Sequence, residues 1–438
     1  MHRPVYYMRR DRHEKKMAQE TDLLNNGRSP LKDGSASDRD NPSGERERLK
    51  SLFITHDIGI YGASTSLQAL LRNYREADFD MVVPKRLFGN QSLERIRERF
   101  GGRAENVWEF YLPFDSCHRF RTEPTMFHRF FEGPRIKILW RFHRRRLFSL
   151  LARGRYDFIH LNSLVLHEMI TPKENYIIHV REIFDGSNPR VYDSLGKARG
   201  VIFIDKATQE PFSHLALANS IVLNNPFDMT GAAALSHRDI EGDHPELRDR
   251  TVFSLIGKIT ERKGAEFIIR CFMDVPNADN RLLVVGEGDS RYMKKCRDIA
   301  REDPRIILWG EEGDIRKIYL LTDYVLRGEP FQCVGRTIFE GLYAGCSVIL
   351  PAVQEGGDFL DKYDEFRDSI FLYLPRDADQ LKDLFRTLTG KKIRERKFRS
   401  NVGEYTAAFQ RFVEKILHSP GIVQGESTSI QRGTTSSR

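Results

Sequence analysis

The stretch GEPFQCVGRTIFEGLYAGCSVILP, residues 328–351, carries three structural signals in one run. An acidic loop leads to Gly335, a helical stretch follows over 336–344 with Glu340 inside it, and SVILP at 347–351 is a short apolar strand. Upstream, YVLRGE at 324–329 reads as another strand, so the order is strand, loop, helix, strand. That is the unit of a parallel sheet with a crossover helix. A glycine at the helix start lets backbone N–H groups come close to a ligand, and the helix dipole favours an anion such as a diphosphate there. Glu340, about one turn further in, is placed to accept hydrogen bonds from ribose hydroxyls.

The same alternation extends in both directions. Upstream within the second half come strands FSLIGK (253–258), RLLVVGEG (281–288) and RIILWG (305–310), with helices near 265–272, 291–301 and 315–321 between them. The first half gives SLFITHD (51–57), FDMVVP (79–84), VWEFYLP (107–113), YDFIHLN (156–162), NYIIHVRE (175–182), GVIFID (200–205) and SIVLNNP (220–226), with a helix near 64–75. Runs of four or five apolar residues suit strands covered on both faces. The expected architecture is α/β, two Rossmann-like doubly wound domains facing across a cleft, with ligands at the carboxyl ends of the strands. The predicted divisions are a disordered segment over 1–48, domains over 49–226 and 227–400, a helix over 401–418 packing back on the first domain, and a disordered tail over 419–438. In that last helix Phe409, Phe412, Val413 and Ile416 share one side.

Composition bounds the class. The chain has 438 residues, 40% hydrophobic and 30% charged, enough for a large core. Seventy Lys and Arg against 62 Asp and Glu give +8, which favours anionic partners. Five cysteines with no CxxC spacing speak against a disulfide framework and against a zinc site. MHRPVYYMRRDRHEKK lacks an apolar signal core, and no run approaches the ~20 apolar residues of a membrane span. The expected location is the cytoplasm, with peripheral contact at the inner face of the membrane.

The stretch 328–351 resembles the donor-binding motif of the retaining GT-B glycosyltransferases of family 4 (glycosyl transferases group 1), E-x-F-G-x4-E-A-x-A-x-G-x-P-V-I. The matching residues are Gly335, Glu340, Gly345, Val348 and Ile349. IGKITERKG is similar to the family's V-G-R-x4-K-G, with Lys258 where Arg is usual and Lys263 at the Lys. RLLVVGEGD and RIILWGEEGDI extend the likeness to roughly residues 251–360. The resemblance implies a donor site built from Gly62, Lys258, Lys263, Gly335, Arg336, Thr337 and Glu340. A leaving nucleoside diphosphate gathers negative charge as the glycosidic bond breaks. A lysine about 4 Å from a phosphate oxygen interacts by roughly 4 kcal/mol at an effective dielectric near 20, before desolvation. Side-chain cations can therefore replace a metal ion, and neither a metal nor another cofactor is expected.

The family carries two glutamates separated by seven residues, and counting back from Glu340 lands on Gln332. An acid stands nearby at Glu329. Either Gln332 replaces the acid as a neutral hydrogen-bonding group, or Glu329 supplies the carboxylate. ITHDIGIYGASTSLQALL resembles the family's opening strand, glycine loop and helix, and RYDFIHLNS its Y-D-x-I-H-x-H segment with Asn162 at the second histidine position. The resemblance makes His179 a catalytic residue facing the donor sugar, and His56, Asp57, Asn162 and Arg181 line the acceptor side. Retention by front-face attack, in which the leaving phosphate takes the acceptor's proton, needs no dedicated base.

PRIKILWRFHRRRLFSLLARG at 134–154 sets Ile136, Leu139, Trp140, Leu147 and Leu150 or Leu151 among seven cations. That composition suits a helix lying on anionic lipid. Without an RRM, KH or zinc-finger signature, nucleic acid is not an expected partner. The expected activity is transfer of a sugar from a nucleoside-diphosphate sugar to a glycan or lipid-linked glycan, as in polysaccharide or lipopolysaccharide synthesis. The alternatives are a catalytically weak sugar-nucleotide-binding or membrane-adaptor protein, and a GT-B epimerase.

Overall fold

The computed structural model describes residues 48–59, 62–85, 92–113, 133–235, 240, 242–288, 290–331, 335–352, 364–393 and 395–419. The two terminal segments expected to be disordered lie outside these apart from Arg48 and Ser419, and Gln332 lies outside them altogether.

Two all-parallel sheets form. The first has seven strands, β1 (Leu49–Ile54), β2 (Ala77–Pro84), β3 (Val107–Phe110), β4 (Phe158–Leu161), β5 (Tyr176–Val180), β6 (Gly200–Phe203) and β7 (Ser220–Val222), in spatial order 3-2-1-4-5-6-7. The second has six, β8 (Thr251–Ile256), β9 (Asn280–Val285), β10 (Ile306–Gly310), β11 (Tyr324–Leu326), β12 (Ser347–Pro351) and β13 (Ile370–Tyr373), ordered 10-9-8-11-12-13. Each therefore reverses its winding once, between β1 and β4 and between β8 and β11. Such reversals leave a crevice at the carboxyl ends of the strands.

Strand periodicity distributes the apolar side chains to both faces. On one face of the first sheet, Leu52 and Ile54 pack with Leu147 and Leu151 of the helix α3 (Gly133–Gly154) and with Val191 and Leu195 of α4 (Arg190–Lys197). On the other, Phe53 and Phe79 meet α1 (Gly62–Asn73), α2 (Leu93–Arg99) and a helix from the far end of the chain. The second sheet is sandwiched likewise by α5 (Ala265–Met273), α6 (Ser290–Ala300) and α9 (Ala378–Leu388) on one side, and by α7 (Ile315–Leu321) and α8 (Arg336–Tyr343) on the other.

The terminal helix α10 (Val402–His418) belongs to the first sheet although it follows the second in sequence. Its Phe409 ring lies 5.3 Å from Tyr74 and 5.7 Å from His160, centroid to centroid. Gly200 is required beneath it, because a Cβ there would lie 2.2 Å from Ile416 Cδ1. The chain thus crosses between the halves twice, and the crossings are tied together. Phe227 N–H donates to Asn401 Oδ1 at 2.7 Å, Asn401 Nδ2 donates to the Asn225 carbonyl at 3.2 Å, and Asp228 bridges Ser400 antiparallel.

Two histidines are shut beneath α10. His160 and His179 are both 0% exposed, with ring centroids 5.7 Å apart. Burial pushes the His160 pKa down to about 3 and that of His179 well below 6.5, with the Arg181 charge adding to both. The unfolded chain binds these protons near pH 6.5 and the folded chain does not, so stability falls as pH drops below 6.5. Replacing His160 by Leu should flatten that fall. Between pH 6.5 and 5 the wild type should lose about 1.6 kcal/mol more than His160→Leu in urea unfolding, the slope steepening toward its limit of about 1.4 kcal/mol per pH unit as the unfolded imidazole becomes fully protonated. Equal losses would show that His160 is not buried in its neutral form.

Candidate active site

The two helices that start at the carboxyl ends of β1 and β11 meet across the halves. α1 opens at Gly62, whose φ of +47° lies in the left-handed region. α8 is capped by Gly335 without a side-chain cap, which leaves its first N–H groups without that intrahelical satisfaction. Arg336, at the first position of α8, donates from Nη1 to Ser66 Oγ of α1 at 2.8 Å and from Nε to Glu340 Oε1 at 2.7 Å. Its guanidinium also stacks 4.7 Å over the Phe227 ring, which in turn stacks on Phe339 at 5.0 Å.

Beneath α8 sits a buried ion pair. Arg327 (6% exposed) donates Nε to Glu329 Oε2 at 3.1 Å, and its Nη2 to Oε1 of the same carboxylate, which is 2% exposed. A third bond runs from Arg327 Nη1 to Thr337 Oγ1 at 3.0 Å. A Cβ on Gly335 would lie 2.3 Å from that Nη1. The glycine is therefore demanded from below by the guanidinium, besides whatever close approach a ligand makes from outside.

Lys263 comes to the same place from the turn after β8. A Cβ on Gly257 would lie 3.0 Å from Lys263 Nζ and 4.0 Å from Thr337 Cγ2, so ammonium, strand end and α8 converge. The turn that aims Lys263 is fixed by Gly264, at φ +68°, where a Cβ would fall 1.7 Å from the Gly328 carbonyl oxygen. Only glycine fits there. Lys258, by contrast, is exposed on the loop between Gly257 and Ile259. Glu340 holds two donors, Arg336 on Oε1 and the buried Tyr319 hydroxyl on Oε2 at 3.0 Å. Desolvation and the Glu340 charge keep the Tyr319 pKa well above 10, so that hydroxyl remains a donor.

On the other half, Arg181 follows β5 and its guanidinium hydrogen-bonds to neutral groups. Nε donates to Asn162 Oδ1 at 3.1 Å and Nη1 to Asn225 Oδ1 at 2.5 Å, while Nη2 lies 3.2 Å from His179 Nδ1. Ser66 Oγ donates to the same Asn225 oxygen at 3.0 Å, so Arg181 and Arg336 approach one another through Ser66 and Asn225. Burial lowers the Arg181 pKa, opposed by Tyr405 and Glu182, and Arg336 adds to the lowering. Two cations at one interface lower the cost of admitting an anion.

Several expected site residues stand elsewhere than sequence spacing suggests. Glu329 faces Arg327 inside the second half and does not reach the cleft. His179 has no exposed surface; it lies behind Arg181 and cannot hydrogen-bond a sugar in this conformation. Asn162 is also fully buried, donating to the Ala63 carbonyl at 3.0 Å and thereby holding the start of α1. Asp57 closes its own turn, accepting from Gly59 N–H at 2.8 Å, and His56 is partly buried beside it. Arg99 clamps that loop through the Ile58 and Gly59 carbonyls at 2.6 and 2.7 Å. The residues that spacing did not suggest are Arg327, Ser66, Asn225, Phe227 and Tyr319. Only Arg327 had a signal, a charged residue at the end of an apolar strand.

No family model matches the sequence. Glycogen synthase of Bacillus cereus (strain ATCC 10987) is 27% identical over 127 residues, 28% of this chain and 26% of that one. The chain thus matches about a quarter of the length of these curated relatives. Among solved structures, Anabaena HepE in complex with UDP and glucose superposes with TM-score 0.59 at 19% identity, covering 84% of this chain and 97% of that one. A glycosyltransferase from Rickettsia africae gives 0.61 at 12% identity over 86% and 100%.

The fold is GT-B. In it the cluster of Lys263, Thr337, Arg336 and Glu340 borders the junction of the two Rossmann-like halves, and Ser66 reaches it from the other side. Among the described residues no group of three or more His, Cys, Asp or Glu side chains could hold a metal ion.

The buried pair under α8 gives a direct test. Arg327→Ala leaves Glu329 buried without its partner and should cost roughly 3–5 kcal/mol. The double variant Arg327→Met with Glu329→Leu should cost markedly less, because no charge is then stranded. Equal losses in urea unfolding would show that the charge pairing is not what α8 rests on.

Proposed function

We propose that the chain is a retaining glycosyltransferase of the family 4 kind, moving a sugar from a nucleoside-diphosphate donor to a glycan or lipid-linked glycan. The observation that carries this reading is the convergence of Lys263, Thr337 and the uncapped start of α8, with Arg336, where the two halves of a GT-B fold meet. That arrangement suits a diphosphate: amide donors and the helix dipole on one side, an ammonium and a guanidinium on the other. UDP-glucose is the first donor to test, since HepE binds UDP and glucose. The likeness to glycogen synthases also points to a glucosyl donor, and it is confined to part of their length.

In this reading the start of α8, Lys263 and Arg336 take up the charge that develops on the leaving diphosphate. Arg336 holds the Glu340 carboxylate beside the ribose through its Nε. The leaving phosphate oxygen removes the acceptor's proton on the face it departs from, so no base is required and side-chain cations supply the charge that a metal ion would. Arg181, with its neutral partners, is suited to an anionic group on donor or acceptor. Engagement of Glu329 by Arg327 favours a second reading, donor binding with slow turnover, because it removes one candidate acid from the cleft.

Thermal unfolding with UDP-, GDP- and ADP-sugars separates these readings from a protein that binds none. A donor at 100 times its Kd should add about 2.7 kcal/mol. Lys263→Ala should lower transfer by roughly 10²–10³-fold, the loss expected when one donor to a developing negative charge is removed. Glu340→Ala should abolish transfer with the fold intact, and transfer should survive EDTA. Stabilisation by a donor without transfer or hydrolysis over a range of acceptors would favour the binding reading. Near-normal activity of Glu340→Ala would refute the site.

A further inference from the structure

The cationic helix α3 turns a different set of residues outward from the set its sequence suggests. Trp140, Leu147 and Leu151 are buried in the core of the first half, and Leu150 and Phe148 pack against it. The Ile136 side chain lies outside those described and Leu139 is half-buried, while Ile138 and Phe142 are 57% and 74% exposed, the two most exposed large apolar side chains among the described residues. They are four residues apart and so lie one above the other on the same helix face. At 100° per residue, Arg141 and Arg145 fall on one flank of this pair, and Arg135 and Arg146 on the other. All four arginines are exposed. The helix contains seven Lys and Arg and no acidic residue.

The position of this face in the fold matters as much as its composition. α3 is the crossover from β3 to β4, two strands of one parallel sheet, so it begins at the carboxyl edge and runs back toward the amino edge. Ile138 and Phe142 are the sixth and tenth of its 22 residues, in the half nearer that edge. The loop after β1, the start of α1 and Arg181 stand at the same edge.

We propose that the outer face of α3 docks the protein on an anionic lipid bilayer, with Phe142 and Ile138 entering the boundary between headgroups and acyl chains and the flanking arginines contacting lipid phosphates. A pair of apolar side chains alone would fit many partners. Ringed by cations on a helix that carries no acidic residue, it matches a surface that is negative at its outer layer and apolar just beneath. Among the described residues no helix is long and apolar enough to cross a membrane, so attachment of this kind is to the surface. The placement brings the carboxyl edge of the first half toward lipid, where a lipid-linked acceptor would be met. The docking itself does not depend on the transferase reading.

The test is co-sedimentation of the full chain with phosphatidylcholine vesicles, with and without one quarter phosphatidylglycerol. The wild type should pellet with the anionic vesicles, less so as salt rises, and stay in the supernatant when the vesicles are neutral. Ile138→Ser with Phe142→Ser should weaken binding on the order of tenfold for each residue while leaving all seven cations. Arg141→Ala with Arg145→Ala should weaken it by about fivefold per charge. Because all four side chains are exposed, thermal unfolding should be unchanged in both variants, and any shift with UDP-glucose should persist. No binding by the wild type, or equal binding by the serine variant, overturns the proposal. So does preferential binding of single-stranded RNA that the alanine variant loses, which would make the face a nucleic-acid surface. A dimer that Phe142→Ser dissolves would make it a contact between copies of the chain.

Discussion

Arg327 is a full charge held at 6% exposure, and the centre of the molecule is arranged around satisfying it. Glu329 neutralises it, Thr337 takes its remaining fork, and its backbone carbonyl accepts the Tyr373 hydroxyl at 2.6 Å. A buried guanidinium without such partners would cost several kcal/mol. Because its partners lie on the loop after β11 and on α8, meeting that need fixes where α8 begins. The contacts that α8 makes follow from that start: Arg336 reaches Ser66, Glu340 lies one turn along, and Thr337 lies beside Lys263.

The second organising feature is the double crossing of the chain. Since α10 is part of the first half's core, the halves are connected through 223–229 and again through 398–401, and Asn401 joins the two segments. Relative motion of the halves has to pass through this paired strap. Ser66 and Arg336 form a second, polar contact between the halves beside it.

Much of the framework was legible because a parallel sheet buried on both faces leaves continuous apolar runs. VVP, FIHL, YIIHV, VIF, LLVV and VILP each stand out, and the glycines at 257, 264 and 335 mark strand-to-helix turns. Strand β13, IFLY at 370–373, was missed although its run is apolar, because it lies past the segment whose motif spacing is informative. Helices α2, α4 and α9 also escaped, being short or highly charged. Lys263, Gly335, Arg336, Thr337 and Glu340, which come together at the start of α8, stand out in the sequence because they lie within 80 residues of one another at regular spacing.

Sequence alone determined the α/β class, the two sheets, the lysine and glycine positions beside the second sheet, and the strongly basic helix near 134–154. Those are properties of local periodicity and of residue types at fixed spacing. Only the tertiary structure decided that Glu329 pairs with Arg327, that His179 and Asn162 are interior, and that Phe142 faces outward where Trp140 does not. In each case the deciding quantity is which face of a strand or helix meets the core and which partner arrives from a distant segment. Glu329 and Arg327 are two residues apart on one strand end, yet their burial is set by Thr337 and Tyr373. The four-residue pairing of Ile138 with Phe142 is visible in the sequence, but its exposure depends on Leu147 and Leu151 having claimed the opposite face for the core.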